Sequence, residues 1–324
     1  MKLLSTLFTD AMKYNRILIE NNLMIVQNYD GSSTMIESMH DIANPDNEKM
    51  EFVINEKDYK FISKLGFIEL KLTKNDLRIT SNGSNKYKFA LLKEYTTPNF
   101  DVSNMNVLDI SYDDLKKASA FTGAFAANTA TPQYTGINIL NEVMLATNRA
   151  AVFRKKIDNQ SKHEINIPKD VMKFIDDQED LEFKTNGKFL SCKTSNKLII
   201  TNLINQKLKN NKINLAVKYD FKIVKKDLID SLKLINEYED VVKFRCDDRC
   251  LNLIAQNSEH EFDMNVEISS VHGEPFDLHF SVKNLLIILN AIEVVDLTIE
   301  ISDIALRIYD ESKEIEFILP KYLV

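Results

Sequence analysis

The feature of this sequence that most constrains its fold is an internal repeat, whose period is roughly a third of the chain. Three apolar runs begin equivalent segments, and the matching positions Ile54, Ile167 and Val282 are separated by 113 and 115 residues. A second set of matching apolar positions follows seven residues later: Phe61, Phe174 and Leu289. A chain of 324 residues built in this way is predicted to form three similar domains and not one continuous core.

Each repeat has the same order of elements: a helix, a strand pair, a second helix and further strands. Apolar residues spaced three and four apart predict helices at 3–12, 112–126 and 224–235, and second helices at 55–65, 168–178 and 283–292. Short apolar or alternating runs predict strand pairs at 17–28, 136–148 and 242–257. The predicted class is α+β, with domains at residues 1–98, 99–209 and 210–324.

Local signals support the ends of several elements. Asn55 with Asp58 favours a helix N-terminus, and Ser111 with Asp114 has the spacing of a capping box. The Ser-Asn-Gly sequence at 81–83 and the Asn-Gly sequence at 186–187 are typical of tight turns between strands. The last strand is predicted over 315–319, because the proline that follows has no N–H to donate to a sheet.

Composition argues against several functional classes. A net charge of −7 argues against a uniformly basic surface that binds nucleic acid, although a local positive lining stays compatible with it. The seven glycines form no phosphate-binding motif, the five histidines form no cluster, and Cys246 and Cys250 lack a second pair of metal ligands. We therefore predict no catalytic residue, cofactor or metal ion. The odd count of three cysteines favours a reducing compartment, the cytoplasm.

Several segments resemble the bacterial DNA polymerase III beta subunit, the beta sliding clamp. They are FAANTATPQYTGINI with EVMLATNRAAVF in the second repeat, FSVKNLLIILNAI preceded by LNLIAQNSEHEFD in the third, KYKFALLKEYTTPNFD at the end of the first, and EFILPKYLV at the C-terminus. Together the segments cover most of the chain. The resemblance implies a DNA clamp fold, in which tandem modules each pack two inner helices on antiparallel sheets and together form a ring.

The chain departs from the family's pattern at several positions. The family's Asp-Gly after Ala-Thr is Asn148-Arg149 here, and its Arg-Leu is Ala151-Val152. The Phe-Pro-Asp-Tyr of its interdomain linker is replaced by Leu-Ile-Asn-Gln at 203–206. These differences indicate a divergent clamp, and both a bacterial and a phage origin stay open.

The resemblance implies a non-enzymatic processivity factor that encircles duplex DNA and tethers the replicative polymerase. It also implies a head-to-tail homodimer that joins domain one of one copy to domain three of the other, through Phe89, Leu91, Leu234 and Ile235. Short hydrophobic peptides of the polymerase and the clamp loader would bind a pocket made by Tyr134, Thr147, Val152, Leu203, Ile204, Leu319, Pro320 and Lys321.

A sliding clamp needs positive charge that attracts phosphates without reading sequence. Lysines occur on the predicted helices, in several cases on the side away from the apolar face. We expect ten of them to face DNA: Lys57, Lys60, Lys64, Lys116, Lys117, Lys169, Lys173, Lys226, Lys233 and Lys283.

Two other functions are compatible with the repeats. The main alternative is a repeat-built scaffold or adaptor that binds peptides and never touches DNA, and an enzyme of unrecognised type is the third hypothesis. A salt-sensitive association with circular DNA that is lost on linearisation would distinguish the clamp from both.

Overall fold

The computed structural model describes residues 1–96, 98–123, 131–157, 163–175, 180–209, 215–246, 250–309 and 314–322. The chain divides into two compact units: unit 1 is Met1–Asp109 with Asp170–Leu203, and unit 2 is Ile110–Lys169 with Ile204–Val324. Unit 1 combines the predicted first domain with part of the predicted second domain, and unit 2 combines another part of the second with the predicted third. The three domain boundaries drawn from the sequence stay a prediction. Within the described ranges, no helix is long and apolar enough to cross a membrane.

The strands of the described chain fall into three sets of eight. The first set is β1 (Lys2–Leu4), β2 (Tyr14–Glu20), β3 (Leu23–Tyr29), β4 (Thr34–Asp41), β5 (Met50–Asn55), β6 (Phe67–Leu72), β7 (Asp76–Ser81) and β8 (Asn85–Ala90). The second set is β9 (Asn106–Val107), β10 (Gly136–Leu140), β11 (Val143–Thr147), β12 (Val152–Lys156), β13 (Ile165–Pro168), β14 (Glu182–Thr185), β15 (Phe189–Lys193) and β16 (Lys197–Asn202). The third set is β17 (Tyr219–Val224), β18 (Val241–Cys246), β19 (Cys250–Gln256), β20 (Glu261–Gly273), β21 (Asp277–Ser281), β22 (Asp296–Ile301), β23 (Ala305–Tyr309) and β24 (Ile315–Pro320).

Two antiparallel pairing orders recur in every repeat. The first order is β5-β2-β3-β4, then β13-β10-β11-β12, then β21-β18-β19-β20. The second order is β1-β6-β7-β8, then β9-β14-β15-β16, then β17-β22-β23-β24. The same topology therefore occurs three times, which confirms the repeats predicted from the sequence.

Neighbouring repeats are joined where two edge strands pair, and we call each such pair a joint. In unit 1, β4 pairs with β16, with residues 34–38 opposite 197–201. In unit 2, β12 pairs with β24, with residues 152–155 opposite 315–318. The Thr34 and Thr201 hydroxyls are 2.9 Å apart at the first joint, and Arg154 contacts Glu316 at 2.7 Å at the second. Each joint thereby extends a sheet across two repeats.

The described helices are α1 (Glu56–Ile62), α2 (Tyr112–Gly123), α3 (Lys225–Asn236) and α4 (Val282–Ala291), with 3-10 helices at Ser5–Leu7, Pro132–Tyr134 and Lys169–Phe174. Both predicted N-terminal caps are confirmed. The Asn55 side chain accepts a hydrogen bond from the backbone N–H of Asp58 at 2.8 Å, and the Ser111 hydroxyl accepts one from Asp114 at 3.1 Å. These bonds satisfy N–H groups that have no partner within the first helical turn.

The predicted helix at 3–12 is wrong, because this segment forms β1 and a 3-10 turn. Ser5 explains the difference: its backbone N–H donates to the Gly66 carbonyl at 2.8 Å, and its hydroxyl donates to the Ser63 carbonyl at 3.1 Å. These bonds compete with the helical pairing that the apolar spacing favoured. The predicted helix at 168–178 is a 3-10 helix over Lys169–Phe174, while 176–178, like the end of the predicted 112–126 helix, lies outside the described residues.

Both predicted tight turns are confirmed. Asn82 and Gly83 take φ angles of 50° and 74° between β7 and β8, in the left-handed region that asparagine and glycine tolerate best. Gly187 takes a φ angle of 82° between β14 and β15, and the side chain of Asn186 accepts a hydrogen bond from the N–H of Phe189 at 3.0 Å.

An aromatic cluster packs on the face of the unit 2 joint that α2 covers, which we call its inner side. Phe121 of α2 lies with its ring centroid 5.6 Å from that of Phe153 on β12 and 5.2 Å from that of Phe317 on β24. All three side chains are fully buried. One helix therefore holds strands from two repeats together.

Replacing Phe121 with alanine should lower the free energy of unfolding by about 3–5 kcal/mol, because it leaves a cavity against both joint strands. The measurement is denaturant unfolding followed by circular dichroism. As a control, alanine in place of Val295, which is 72% exposed in the same unit, should change the free energy by less than about 0.5 kcal/mol. Equal effects of the two changes would contradict the packing described for Phe121.

Candidate functional site

Six lysines surround a groove of about 1120 Å³ between α1 and β8 in unit 1. Three of them are exposed residues of the α1 region that were predicted to face DNA: Lys57, Lys60 and Lys64. The other three are Lys13, Lys86 and Lys88. Lys60 forms an ion pair with Glu56, one turn earlier on the helix. The groove therefore concentrates positive charge at one edge of the unit.

The floor of this groove is aromatic. The ring centroid of Phe61 is 5.1 Å from that of Tyr87 and 5.9 Å from that of Phe89, and Phe61 is 42% exposed. Phe89, a predicted dimer contact, belongs to β8, which pairs only with β7 among the described residues. Leu91, the second predicted contact, follows β8 and is half-buried. This edge of the sheet thus presents unpaired backbone groups beside an apolar surface.

The remaining lysines predicted to face DNA lie on other elements. Four of them are exposed on α-helices: Lys116 on α2, Lys226 and Lys233 on α3, and Lys283 on α4. Lys169 and Lys173 lie on a 3-10 helix, where Lys173 is 3.8 Å from Asp170. Most of the predicted cations are therefore at the surface, where they can reach a polyanion.

Lys117 differs from the others. It is only 22% exposed, and its Nζ lies 2.7 Å from the carboxylate of Glu293. The hydrogen bond and charge of Lys117 lower the pKa of the Glu293 carboxyl below its usual value. Because this cation already has an anionic partner, it attracts phosphate less than an unpaired lysine would.

Unit 2 has an exposed apolar patch at the C-terminal end of α3. Leu234 is 52% exposed and Tyr238 is 50% exposed, whereas Ile235, the other predicted dimer contact, is fully buried in its own unit. The ring of Tyr238 lies 4.7 Å from that of His260 and 5.4 Å from that of Phe262. Sequence reasoning missed this aromatic part of the patch, although Leu234 and Tyr238 have the i, i+4 spacing of one helical face.

Carboxylates lie near this apolar patch in sequence and continue along β20. Glu237 and Glu259 are exposed next to it in sequence, and Glu261, Asp263 and Glu267 share one face of β20 by strand alternation. The 261–267 part of β20 pairs with β19 along one edge. The other edge of this part has no partner strand among the described residues, because β20 pairs with β17 only over residues 268–273. Unit 2 therefore has a free sheet edge bordered by negative charge.

A tight turn positions the first residues of the predicted peptide pocket. The Thr147 hydroxyl donates to the Ala151 carbonyl at 2.7 Å, and the Asn148 side chain accepts the N–H of Ala151 at 2.6 Å. Arg149 takes a φ angle of 72°, in the left-handed region that favours glycine, and its guanidinium lies 4.8 Å from the centroid of the Tyr134 ring. Tyr134 and Thr147 are thus brought close to the start of β12.

Val152 lies at the centre of an apolar surface on the outer side of the joint in unit 2, the face opposite to the one that α2 covers. It is opposite Ile318 of β24 and also packs against Leu140, Val143, Leu145, Leu215 and Ala305. Ile318 was not among the predicted pocket residues. The predicted residue Leu319 is 1% exposed and, by strand alternation, lies on the same face as Phe317. Side chains alternate between the two faces along β24, and this alternation was the sequence signal that favours Ile318, and not Leu319, as a pocket residue.

The remaining predicted pocket residues lie in the C-terminal segment and in the linker at 203–206. Pro320 lies opposite Ala305 at the end of β24, and the N–H of Lys321 donates to the Ile304 carbonyl at 2.8 Å. The N–H of Ile204 donates to the Asn166 carbonyl at 2.9 Å within unit 2. Leu203 belongs to unit 1, where its N–H donates to the Lys188 carbonyl at 2.9 Å. The residues in unit 2 thus surround one joint, and Leu203 is the exception.

No grouping of three or more His, Cys, Asp or Glu side chains that could hold a metal ion occurs among the described residues. Cys246 lies with its sulfur 2.7 Å from the hydroxyl of Tyr219, inside the third repeat. Residues 247–249, between the two cysteines considered as ligands, lie outside the described residues.

Comparison with solved structures identifies the fold. The DNA polymerase III beta subunit of Thermotoga maritima superimposes with a TM-score of 0.83 at 15% identity, over 100% of this chain and 99% of that one. The corresponding subunit of Pseudomonas aeruginosa gives a TM-score of 0.85 at 12% identity, over 100% and 99% of the two chains. The chain has the beta sliding-clamp fold. No family model and no curated protein sequence matches it.

The clamp fold extends over the whole chain, including both units. A third similar structure is the Helicobacter pylori beta clamp bound to a DNA ligase peptide, with a TM-score of 0.83 at 18% identity over 98% and 93% of the two chains. Identities of 12–18% agree with the prediction of a divergent sequence on this fold.

Proposed function

We propose that this chain is a DNA sliding clamp. It closes into a ring as a head-to-tail homodimer, encircles duplex DNA in the cytoplasm and tethers a replicative polymerase, without catalysing a reaction. The observation that carries this proposal is a pair of sheet edges without a partner in the described chain, one on β8 and one on residues 261–267 of β20.

The repeated topology supports the proposal that these two edges are halves of one further joint. In the two existing joints, β4 pairs with β16 and β12 pairs with β24. In the recurring pairing orders, β20 takes the place of β4 and β12, while β8 takes the place of β16 and β24. Pairing of β20 in one copy with β8 in a second copy would therefore repeat the same antiparallel joint. Two copies paired in this way at both ends form a closed ring.

The chemistry of the two edges is complementary. The β8 edge has the aromatic floor of the groove, Phe61, Tyr87 and Phe89, with its six lysines. The β20 edge has the exposed apolar residues Leu234 and Tyr238 with neighbouring carboxylates. An apolar contact within oppositely charged rims favours association and excludes pairing of like edges.

The lysines have two roles under this proposal. Lys57, Lys60 and Lys64 line the groove at the joint, and they pair with carboxylates of the second copy as well as contributing to the field around DNA. Lys116, Lys169, Lys173, Lys226, Lys233 and Lys283 supply the attraction for phosphates along the inner helices, with a smaller contribution from Lys117. Electrostatic attraction of this kind is independent of base sequence and allows sliding.

Partner proteins bind at the outer side of the β12–β24 joint. Val152 and Ile318 form the apolar floor, with Tyr134 and Thr147 at the adjacent turn and Ile204, Pro320 and Lys321 at the borders. Leu203 and Leu319 stay candidates from the family pattern. The clamp of Helicobacter pylori binds a DNA ligase peptide, which supports short peptides as the partner class here.

Charge reversal tests the joint directly. A variant with Lys86→Glu and Lys88→Glu places like charges at both joints of a homodimer, and so does a variant with Glu261→Lys and Asp263→Lys. Each variant alone should sediment as a monomer of 37.3 kDa under conditions in which the wild type forms dimers. An equimolar mixture should recover dimers, because one joint is then native and the other has both charges exchanged.

Sedimentation velocity at micromolar concentration measures all four samples. The control exchanges two exposed lysines away from the edge, Lys71 and Lys74, for glutamate, and should leave the dimer intact. A mixture that stays monomeric beside a dimeric wild type would place the interface elsewhere, and a monomeric wild type would contradict a stable ring.

Removing positive charge from the inner helices tests the DNA lining. Lys116, Lys226, Lys233 and Lys283 replaced together by glutamate should weaken binding to a short duplex and flatten its salt dependence, by about 0.9 in slope for each phosphate that a lysine no longer neutralises. Fluorescence anisotropy of a labelled duplex over a series of salt concentrations provides the measurement.

The matched control has the same change in net charge at lysines outside these helices. It replaces four lysines on strands and turns by glutamate: Lys71, Lys74, Lys188 and Lys193. If the slope falls equally in both quadruple variants, the attraction comes from overall charge and not from the helices, and the assigned lining is refuted.

A further inference from the structure

Two buried asparagines lie side by side on the outer sheet face of unit 2. Asn138 of β10 and Asn166 of β13 are direct partners in the strand register, and both are fully buried. Asn138 is also opposite Leu145 of β11, which packs in the same apolar cluster as Val152. The pair therefore lies on the face of the sheet that forms the proposed peptide pocket.

The side-chain amides hold the chain segment 204–208, which crosses this face without forming a strand. The Nδ2 of Asn166 donates to the carbonyl of Gln206 at 2.7 Å, and the N–H of Leu208 donates to Oδ1 of Asn138 at 2.9 Å. The backbone of Asn166 adds a third bond, since its carbonyl accepts the N–H of Ile204 at 2.9 Å. Three alternate residues of the segment are thus fixed to two neighbouring strands.

Gly136 leaves the space that this arrangement needs. A Cβ atom at this position would lie 2.1 Å from Oδ1 of Asn166, 2.4 Å from the backbone carbonyl oxygen of Ile167 and 2.9 Å from Cδ1 of Ile204. All three distances are shorter than van der Waals contact, so a larger residue would displace the amide, the backbone of β13 and the segment together.

The asparagines are not explained by core stability alone. Oδ1 of Asn166 is buried and has no hydrogen-bond partner among the described residues, which lowers stability by leaving an acceptor unsatisfied. An apolar residue would avoid that cost but could not bond the backbone of segment 204–208. Only a short side chain with donor and acceptor groups can fix the path of a segment outside the sheet ladder.

We propose that Asn138 and Asn166 are positioning residues, which hold Ile204 and Leu208 as one wall of the partner-peptide pocket. Leu208 packs against the apolar cluster that contains Val152, so the path of its backbone sets the distance between this wall and the pocket floor. The inference rests on the proposed peptide site, and it names residues that make no contact with the peptide themselves.

The experiment uses the full-length chain with Asn138→Leu and Asn166→Leu, separately and together. The probe is a fluorescent peptide selected from a random display library on the wild type, and retained only if Val152→Asp abolishes its binding. Each variant should lower peptide affinity about tenfold, and hydrogen exchange at residues 204–208 should become faster in the same variants. Gly136→Ala should give the same two effects, because its Cβ would displace the Asn166 amide and the backbone of β13 without removing a donor.

A matched control is present in unit 1. Asn15 and Asn28 are also fully buried partners across two strands, joined by a 2.8 Å hydrogen bond between their side chains. Leucine at these positions should lower thermal stability and leave peptide affinity within about twofold of the wild type.

The outcomes separate the inference from the function on which it rests. Unchanged affinity in the Asn138, Asn166 and Gly136 variants, or an equal loss in the control pair, would overturn the positioning role while leaving the pocket intact. If no selected peptide depends on Val152, the proposed pocket itself fails, and the positioning role fails with it.

Discussion

Antiparallel pairing between edge strands is the interaction on which the rest of this structure depends. An edge strand presents unpaired N–H and C=O groups, which must find a partner or stay in water. The chain satisfies four such edges internally, at β4–β16 and β12–β24, and each pairing merges sheets of two repeats. The equivalent edges on β8 and on residues 261–267 of β20 have no partner in the described chain. Under the proposed function, the equivalent edges of a second copy are the partners of these two edges.

The joint in unit 2 has distinct chemistry on its two faces. On the inner face, Phe121 packs against aromatic residues of both joint strands, and all three rings are fully buried. On the outer face, Val152 and Ile318 meet in a surface bordered by a segment that two asparagines fix in place. A site built on paired strands is held more accurately than a site on loops alone. The same pairing that extends the sheet also provides the floor of the proposed peptide pocket.

The sequence predicted the repeats, the strand pairs, the tight turns and two helix caps, because these depend on local spacing and on residues such as Asn55 and Gly187. It failed where distant bonds decide the structure, as at Ser5, whose bonds to residues 63–66 replace a helix. In the candidate site, the family pattern pointed to Leu319, although strand alternation puts Ile318 on the outer face with Val152. The aromatic partners of Tyr238 could not be predicted, because His260 and Phe262 reach it only through the fold of β20.

Retention on circular DNA tests the central claim most directly. High salt screens the lysine and carboxylate rims, so mixing the protein with a plasmid at high salt and then diluting should let rings close around the DNA. A zero-length carbodiimide coupling of lysine to carboxylate then fixes the joints. Encirclement predicts that the coupled protein stays with the closed circle through a high-salt wash and is released when a single restriction cut linearises the plasmid. Equal retention on circular and linear DNA, or loss from both in the wash, would contradict encirclement.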